Sequence, residues 1–272
     1  MPHTDLITRL QDLRHLDWTE RHGSSGTGGM LLKAREGQGD RATYYKLSSY
    51  DDYRGIYGHE CVNELVASRL MDVLEVPHLR YWLVHALVSI RGTEHRTWLC
   101  ASTSFRRRGE RKQALDTYYS LNAAPGQSPY DFCVEQGWRE QVHQMMLVDF
   151  LIANRDRHGA NVELIVDRAG HVRMAPIFDC GLSFVFSCFD DEERVRAFDP
   201  MTDVAANNFL GSRSLAYNLE HFDVRPCVRP LAEADRAHIM GGLEPALPHA
   251  HLEAIWNILW QRWCWYEGLR SR

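Results

Sequence analysis

Three oxygen-bearing side chains in a fixed order, Asp156, Asn161 and Asp179, are the residues of this chain best suited to chemistry. They lie in Asn154-Arg155-Asp156-Arg157-His158-Gly159-Ala160-Asn161 and in Phe178-Asp179-Cys180-Gly181. An Asp, an Asn five positions on, and an Asp-x-Gly after a hairpin follow the order used for phosphoryl transfer. In that chemistry one carboxylate orients the attacking hydroxyl, while the Asn and the second Asp hold a metal that bridges the phosphates. Asp156 is therefore the candidate for orienting and deprotonating an acceptor hydroxyl. Asn161 and Asp179 are the candidate Mg2+ ligands, since that cation takes hard oxygen donors. Taken singly, either the Asp or the Asn is explained as well by capping a polar turn. The ordered set with its Asp-x-Gly is not.

Such a site also needs a cation for the phosphates. Lys46 lies in a β-rich segment, residues 42–47, and follows a glycine-rich run at 23–29. In that run Ser24, Ser25, Gly26, Gly28 and Gly29 would present backbone N–H groups to phosphate oxygens with no large side chain in the way. The same run also reads as a hairpin tip. Helical spacing over residues 59–74 puts Val62, Leu65, Val66 and Leu70 on one face. Glu60 and Glu64 are one turn apart there, and both qualify to pair with Lys46; Glu64, beside the apolar seam, is preferred.

The elements that must carry these residues follow from periodicity. Residues 4–18 space Leu6, Ile7, Leu10, Leu13 and Leu16 as an amphipathic helix capped by Thr4. Residues 30–34 read as a short strand, 50–58 as a loop, and 81–90 with 95–100 as a hairpin around Gly92. Residues 101–130 read as surface loops with room for one short helix. Residues 138–153 are helical, 162–166 with the turn 167–170 start a hairpin, 190–196 is a charged loop, and 233–269 is a helical tail. The expected architecture is α+β and bilobal. Residues 1–102 form a small antiparallel-sheet lobe with one packed helix, and residues 103–272 a mainly helical lobe with the Asp-x-Gly site.

Bulk properties bound the function. At 272 residues with 44% hydrophobic and 25% charged content, the chain has ample length for a real core. A net charge of -5 argues against a nucleic-acid binder. The local run Arg106-Arg107-Arg108, with Arg111 and Lys112, reads as solvated surface or as a patch for an acidic partner. Seven cysteines without a Cys-x-x-Cys pair read as reduced thiols and a cytoplasmic setting. Fourteen histidines show no zinc-ligand spacing, so His158 is expected to brace its loop. No apolar stretch reaches the length of a membrane span.

These segments resemble the HipA-like (HipA, HipT and CtkA) serine/threonine kinases of bacteria, whose catalytic core is similar to that of phosphatidylinositol 3/4-kinases. The resemblance rests on residues 23–29, Tyr45-Lys46-Leu47, Asn63-Glu64-Leu65, and the two runs around Asp156 and Asp179. It implies a bilobal kinase fold and ATP- and Mg2+-dependent phosphorylation of a protein substrate. Asp156 would be catalytic, Asn161 and Asp179 would bind metal, and Lys46 would bind ATP. It further implies autophosphorylation at a loop serine, Ser24 or Ser25, where a phosphate would repel ATP. A toxin role with a separate antitoxin chain is implied in the same way. The loop departs from the family in being richer in Gly and lacking the usual Gln. The stretch before residue 23 is too short for the extra N-terminal domain of full-length HipA. A small-molecule or lipid kinase, a catalytically silent nucleotide-binding scaffold, and an AMP-transferring variant are the alternatives that remain open.

Overall fold

The computed structural model describes residues 4–19, 31–39 and 42–271. The glycine-rich run with Ser24, Ser25, Gly26, Gly28 and Gly29 lies outside the described residues. In chain order the strands and helices are β1 (Leu6–Asp12), β2 (Lys33–Glu36), β3 (Thr43–Lys46), β4 (Ser49–Asp51), β5 (Gly55–Tyr57) and α1 (Glu60–Leu74). Next come β6 (Tyr81–Ile90), β7 (Thr93–Thr103), β8 (Arg111–Ala114), α2 (Leu115–Asn122), α3 (Pro129–Glu135) and α4 (Arg139–Leu151). The chain continues through β9 (Asp156–Arg157), β10 (Glu163–Val166), β11 (Val172–Met174), α5 (Glu192–Arg196), β12 (Asn207–Asn208), α6 (Leu215–His221), α7 (Arg236–Met240) and α8 (His249–Arg270).

The larger sheet has the order β1-β6-β7-β3-β2. Its centre is the β6–β7 hairpin, paired from Tyr81↔Ser102 to Ile90↔Thr93. The tip, Arg91-Gly92, has positive φ at both positions (50° and 85°), the twist that a two-residue hairpin loop demands. Antiparallel pairing continues through β3 and β2, which places Lys46 opposite both Cys100 and Lys33. Only β1 joins in parallel, on the outer edge of β6.

Helix α1 packs under this sheet, and Asp72 is the one residue of its fifteen that is not buried. It ends at Glu75, which takes a left-handed cap (φ 59°), and Pro77 then blocks further helix. One continuous core joins α1, α4 and α8 through Leu65, Leu70, Phe150, Ile255 and Trp263. Truncating a fully buried leucine such as Leu65 to alanine is expected to cost about 2–5 kcal/mol. A smaller core, with Leu47, Val88 and Leu99, lies on the other face of the sheet. The second sheet, β11-β10-β8, stands beside the first and carries the loop between Asp156 and Asp179.

Five readings of the sequence give way to the structure. Residues 4–18 hold strand β1 and not a helix. The helical spacing of the leucines is coincidental there, because Leu6, Ile7 and Leu10 lie half-buried or exposed along an edge strand that gains its hydrogen bonds from β6. Residues 50–58 are not a bare loop but the hairpin β4–β5. Between 101 and 130 the chain forms β8, α2 and the start of α3; β8 lacks an apolar signature because it pairs at the outside of β10. The charged segment 190–196 contains helix α5, capped by the Asp191 side chain on Arg194 N–H, with Glu192 and Glu193 in the first turn and Val195 buried. In the tail, α7 and α8 are separated around Pro245 and Pro248.

Candidate active site

Lys46, Glu64 and Asp179 meet although they come from a strand, a helix and a loop. The Lys46 ammonium stands 2.7 Å from Glu64 Oε1 and 2.6 Å from Asp179 Oδ1. Glu64 is 2% exposed, and its other oxygen accepts the Cys180 N–H at 2.9 Å, so one carboxylate ties α1 to both the strand lysine and the Asp-x-Gly backbone. Glu60 does otherwise: it accepts the Ser49 hydroxyl at 2.5 Å and the Ser49 N–H at 3.3 Å.

The electrostatics follow from this clustering. Burial would lower the Lys46 ammonium, but Asp179 and Glu64 outweigh it and hold it well above its ordinary value. Burial would likewise raise the Asp179 carboxyl, yet Lys46, Lys33 and Arg157 keep it below the usual carboxylate range. Glu64 is pushed up, because desolvation and the neighbouring Asp179 charge exceed the pull of Lys46. Burial, with Lys46 beside it, lowers the Lys33 ammonium.

The Asp-x-Gly segment is fixed from three sides. Ile177 N–H donates to Pro77 O, and Leu79 N–H to Ile177 O, which docks the segment against the start of β6. Asn63 Nδ2 donates to Gly181 O and Ser183 O. Asp179 itself adopts φ 59°, a left-handed conformation that costs a non-glycine residue energy and is typical of functional turns. Gly181 sits close to α1: a Cβ there would lie 3.3 Å from Glu60 Cβ and 3.4 Å from Glu60 O, a tight contact.

The loop bearing Asp156 and Asn161 is organised by Arg157, which sequence reasoning passed over. This buried guanidinium bonds both oxygens of Asp149 in α4, Asn161 O at 3.2 Å and Phe178 O at 2.6 Å. A single nitrogen thus holds the backbones next to both candidate metal ligands. The same Asp149 accepts Asn154 Nδ2 at 2.8 Å. The available signal was a lone acid at the end of an apolar helix. Asn161 Nδ2 donates to Asp156 O at 2.9 Å, leaving its carbonyl oxygen to act as a donor atom toward a ligand. Asp156 Oδ1 accepts Asn207 Nδ2 at 3.2 Å, and His158 Nε2 stands 3.7 Å from Oδ2. Asn207 arrives through the parallel pairing of β12 with β9, which no feature of the sequence announces.

A cleft of about 500 Å³ opens between the two sheets, lined by Lys33, Lys46, Phe105, Lys112, Glu163 and Asp179 among others. That is within the range of small-molecule sites. Lys112 Nζ lies 3.0 Å from the buried Glu163 carboxylate and 4.0 Å from the Phe105 ring centroid. Among the described residues no group of three His, Cys, Asp or Glu could hold a metal ion. If a cation binds here, Asn161 and Asp179 are the oxygen donors this chain would offer it. No described helix is long and apolar enough to cross a membrane. All seven cysteines are free thiols.

No protein-family model matches the sequence, and no match is found among curated proteins. Solved structures do match. The Helicobacter pylori proinflammatory kinase CtkA superposes with a TM-score of 0.62 at 14% identity, over 92% of this chain and 93% of CtkA. A chain of the Shewanella oneidensis MR-1 toxin–antitoxin complex of HipA, HipB and operator DNA gives a TM-score of 0.43 at 15% identity, over 92% of this chain and 67% of that one. The near-complete mutual coverage with CtkA settles the architecture: this chain has the same α+β fold as CtkA.

Proposed function

We propose that the chain is an ATP- and Mg2+-dependent protein kinase of the HipA-like type, transferring the γ-phosphoryl group to Ser or Thr. The observation that carries this reading is the Lys46 ammonium held at 2.7 Å by a helix carboxylate and at 2.6 Å by the Asp-x-Gly carboxylate. A Lys–Glu pair and an Asp-x-Gly acid in register are the parts that phosphoryl transfer needs on the nucleotide side. The CtkA-like fold supports the same class of chemistry.

In this reading Lys46 binds the α- and β-phosphates, and Glu64 keeps its ammonium aimed. Asn161 and Asp179 hold Mg2+, which when bound neutralises charge on the phosphates. Asp156, steadied by Asn207, orients the acceptor hydroxyl and takes its proton as the oxygen attacks. The cleft between the sheets receives the nucleotide base. The serines of the glycine-rich run, Ser24 and Ser25, are the proposed self-modification sites.

The deciding experiment incubates wild type, Asp156→Asn and Asp179→Asn with γ-labelled Mg-ATP and a panel of protein, lipid and sugar acceptors. Label on protein serine or threonine from wild type, reduced by about 10²–10⁴ in Asp156→Asn, supports the reading. Label on a lipid or sugar moves the enzyme to another acceptor class. ATP binding without transfer to any acceptor overturns it in favour of a scaffold.

A further inference from the structure

Four acids are buried among the described residues, and three of them are satisfied. Glu60 accepts the Ser49 hydroxyl and N–H, and Glu64 the Lys46 ammonium and the Cys180 N–H. Asp149 accepts the side chains of Arg157 and Asn154. Glu163 differs. Its side chain, at the start of β10, is 0% exposed, yet neither carboxylate oxygen accepts a hydrogen bond. Lys112 Nζ balances the charge from 3.0 Å, but off the line of a hydrogen bond. A buried carboxylate in this state costs free energy until a donor reaches it.

Glu163 lines the same cleft as Lys46 and Asp179. Its surroundings are aromatic where theirs are charged. Lys112 lies over the Phe105 ring, 4.0 Å from its centroid, and Phe105 in turn packs against Phe178 at 5.7 Å. The Lys46 end suits phosphates, and the Phe105 end suits a flat ring, which gains area and stacking there. Strand pairing sets the spacing of the polar pair. Glu163 stands opposite Ala114, so Lys112 is its diagonal neighbour on the same face of the β8–β10 ladder. A ring resting on Phe105 therefore meets an acceptor and a donor side by side at its edge.

We propose that Glu163, with Lys112 beside it, selects the nucleobase. The carboxylate accepts the exocyclic amine of adenine, and the ammonium donates to the adjacent ring nitrogen. This role rests on the nucleotide-dependent reading above and deepens it by naming the group that favours ATP over a 6-oxo purine nucleotide. An oxo group in the amine's place would set a lone pair against the carboxylate. A plain hydrogen there would leave the buried oxygen without a donor. Sites built around a hydrogen-bonding group reject analogues that lack it more strongly than an apolar pocket can. Lys112 is 26% exposed and carried on a flexible stem, so it can leave the face of Phe105 to the base.

The test is calorimetric titration of the full chain with ATP, with purine riboside triphosphate, which lacks only the amine, with ITP and with 2′-deoxy-ATP. Wild type is expected to bind ATP about ten- to a hundredfold more tightly than the purine analogue. In Glu163→Met, which has no acceptor, that ratio should fall to about threefold or less. In Glu163→Gln, whose amide can turn its NH2 toward an oxo group, ITP should gain on ATP by about tenfold. Equal affinity of wild type for ATP and the purine analogue overturns the assignment with no variant needed, even if Glu163→Met does not fold. A preference that survives Glu163→Met overturns it as well. Loss of discrimination against 2′-deoxy-ATP in its place would make Glu163 a reader of the ribose, and the base assignment would be wrong. These failures leave nucleotide binding through Lys46 standing, whereas a wild type that binds none of the four nucleotides removes the kinase reading too.

Discussion

Arg157 and Asp149 form an ion pair at 2.8 Å in which each side chain is only 2% exposed. Neither charge would be tolerated alone at that depth, and the pair pays its desolvation through extra bonds to Asn154, Asn161 O and Phe178 O. Burial would lower the Arg157 guanidinium, and Asp149 more than reverses this. The pair is therefore the joint at which helix α4, the Asp156 loop and the Asp-x-Gly segment meet.

Removing one partner should be far worse than removing both. Arg157→Met is expected to lose about 3–5 kcal/mol in urea unfolding, since it strands the Asp149 charge. The double variant Asp149→Leu/Arg157→Met should recover part of that loss. A single variant within about 1 kcal/mol of wild type would show that the joint is not structural.

Lys46 is the next prediction. It is the counterion for two carboxylates, so Lys46→Met leaves Glu64 and Asp179 without the ammonium that bridges them. Burial and the Asp179 charge already raise the Glu64 carboxyl, and losing the pull of Lys46 should raise it further. The expected result is a folded protein whose Glu64 carboxyl titrates higher than in wild type and which has lost measurable nucleotide affinity. Calorimetry of ATP binding together with a proton-uptake titration checks both. Wild-type nucleotide affinity in Lys46→Met would remove Lys46 from the site.

What the sequence discloses here depends on how local the determinant is. The hairpin Tyr81–Ile90 with Thr93–Thr103 and helix Glu60–Leu74 declare themselves through alternation and three- to four-residue spacing. Glu60 and Glu64 both qualify on spacing, and adjacency to the apolar seam gives only a preference for Glu64. Strand β1 was hidden, since an edge strand takes its identity from the partner it pairs with, and its leucines happen to repeat like a helix. Helix α5 is too short for an apolar stripe and rests on its Asp191 cap. Asn207 and Arg155 acquire their positions from the pairing of β12 with β9, a contact across about fifty residues that leaves no periodic trace.

Acid stability should depend on a histidine that the proposed chemistry does not use. His59, at the N-terminus of α1, is 3% exposed, and neither ring nitrogen has a partner. Burial, and secondarily the neighbouring His251, depresses it from 6.5 to about 3. Its folded value lies below its unfolded one, so the unfolded chain binds the proton first. The neutral ring's contribution is complete above pH 6.5 and is lost as pH falls from there toward 3, at about 1.4 kcal/mol per pH unit. Asp179, held below its ordinary 3.8, contributes in the same direction but only at more acidic pH. A His59→Leu variant should therefore flatten the dependence between pH 6 and 4 in urea titrations, leaving the steeper loss below 4. An unchanged slope in that window would assign it to other histidines.

Glycine 159 offers the sharpest test of how tightly the loop is built. A Cβ at Gly159 would lie 2.4 Å from Asp116 Cβ, and since both are first side-chain atoms, neither can swing aside. Gly159→Ala must push the start of α2 away from the loop between Asp156 and Asn161. Overpacking of this kind is expected to cost about 1–3 kcal/mol. A displacement of about 1 Å at the reacting groups lowers turnover about 10²-fold. Gly126→Ala is the control: it forces a left-handed backbone (φ 78°) on alanine but meets open space, so its cost should be about 1–2 kcal/mol with no effect on transfer. Asp116→Gly, by removing the obstructing atom, should restore both stability and turnover to the Gly159→Ala background. If Gly159→Ala is as active as Gly126→Ala, or if Asp116→Gly fails to rescue it, then contact with α2 does not set the position of Asp156 and Asn161.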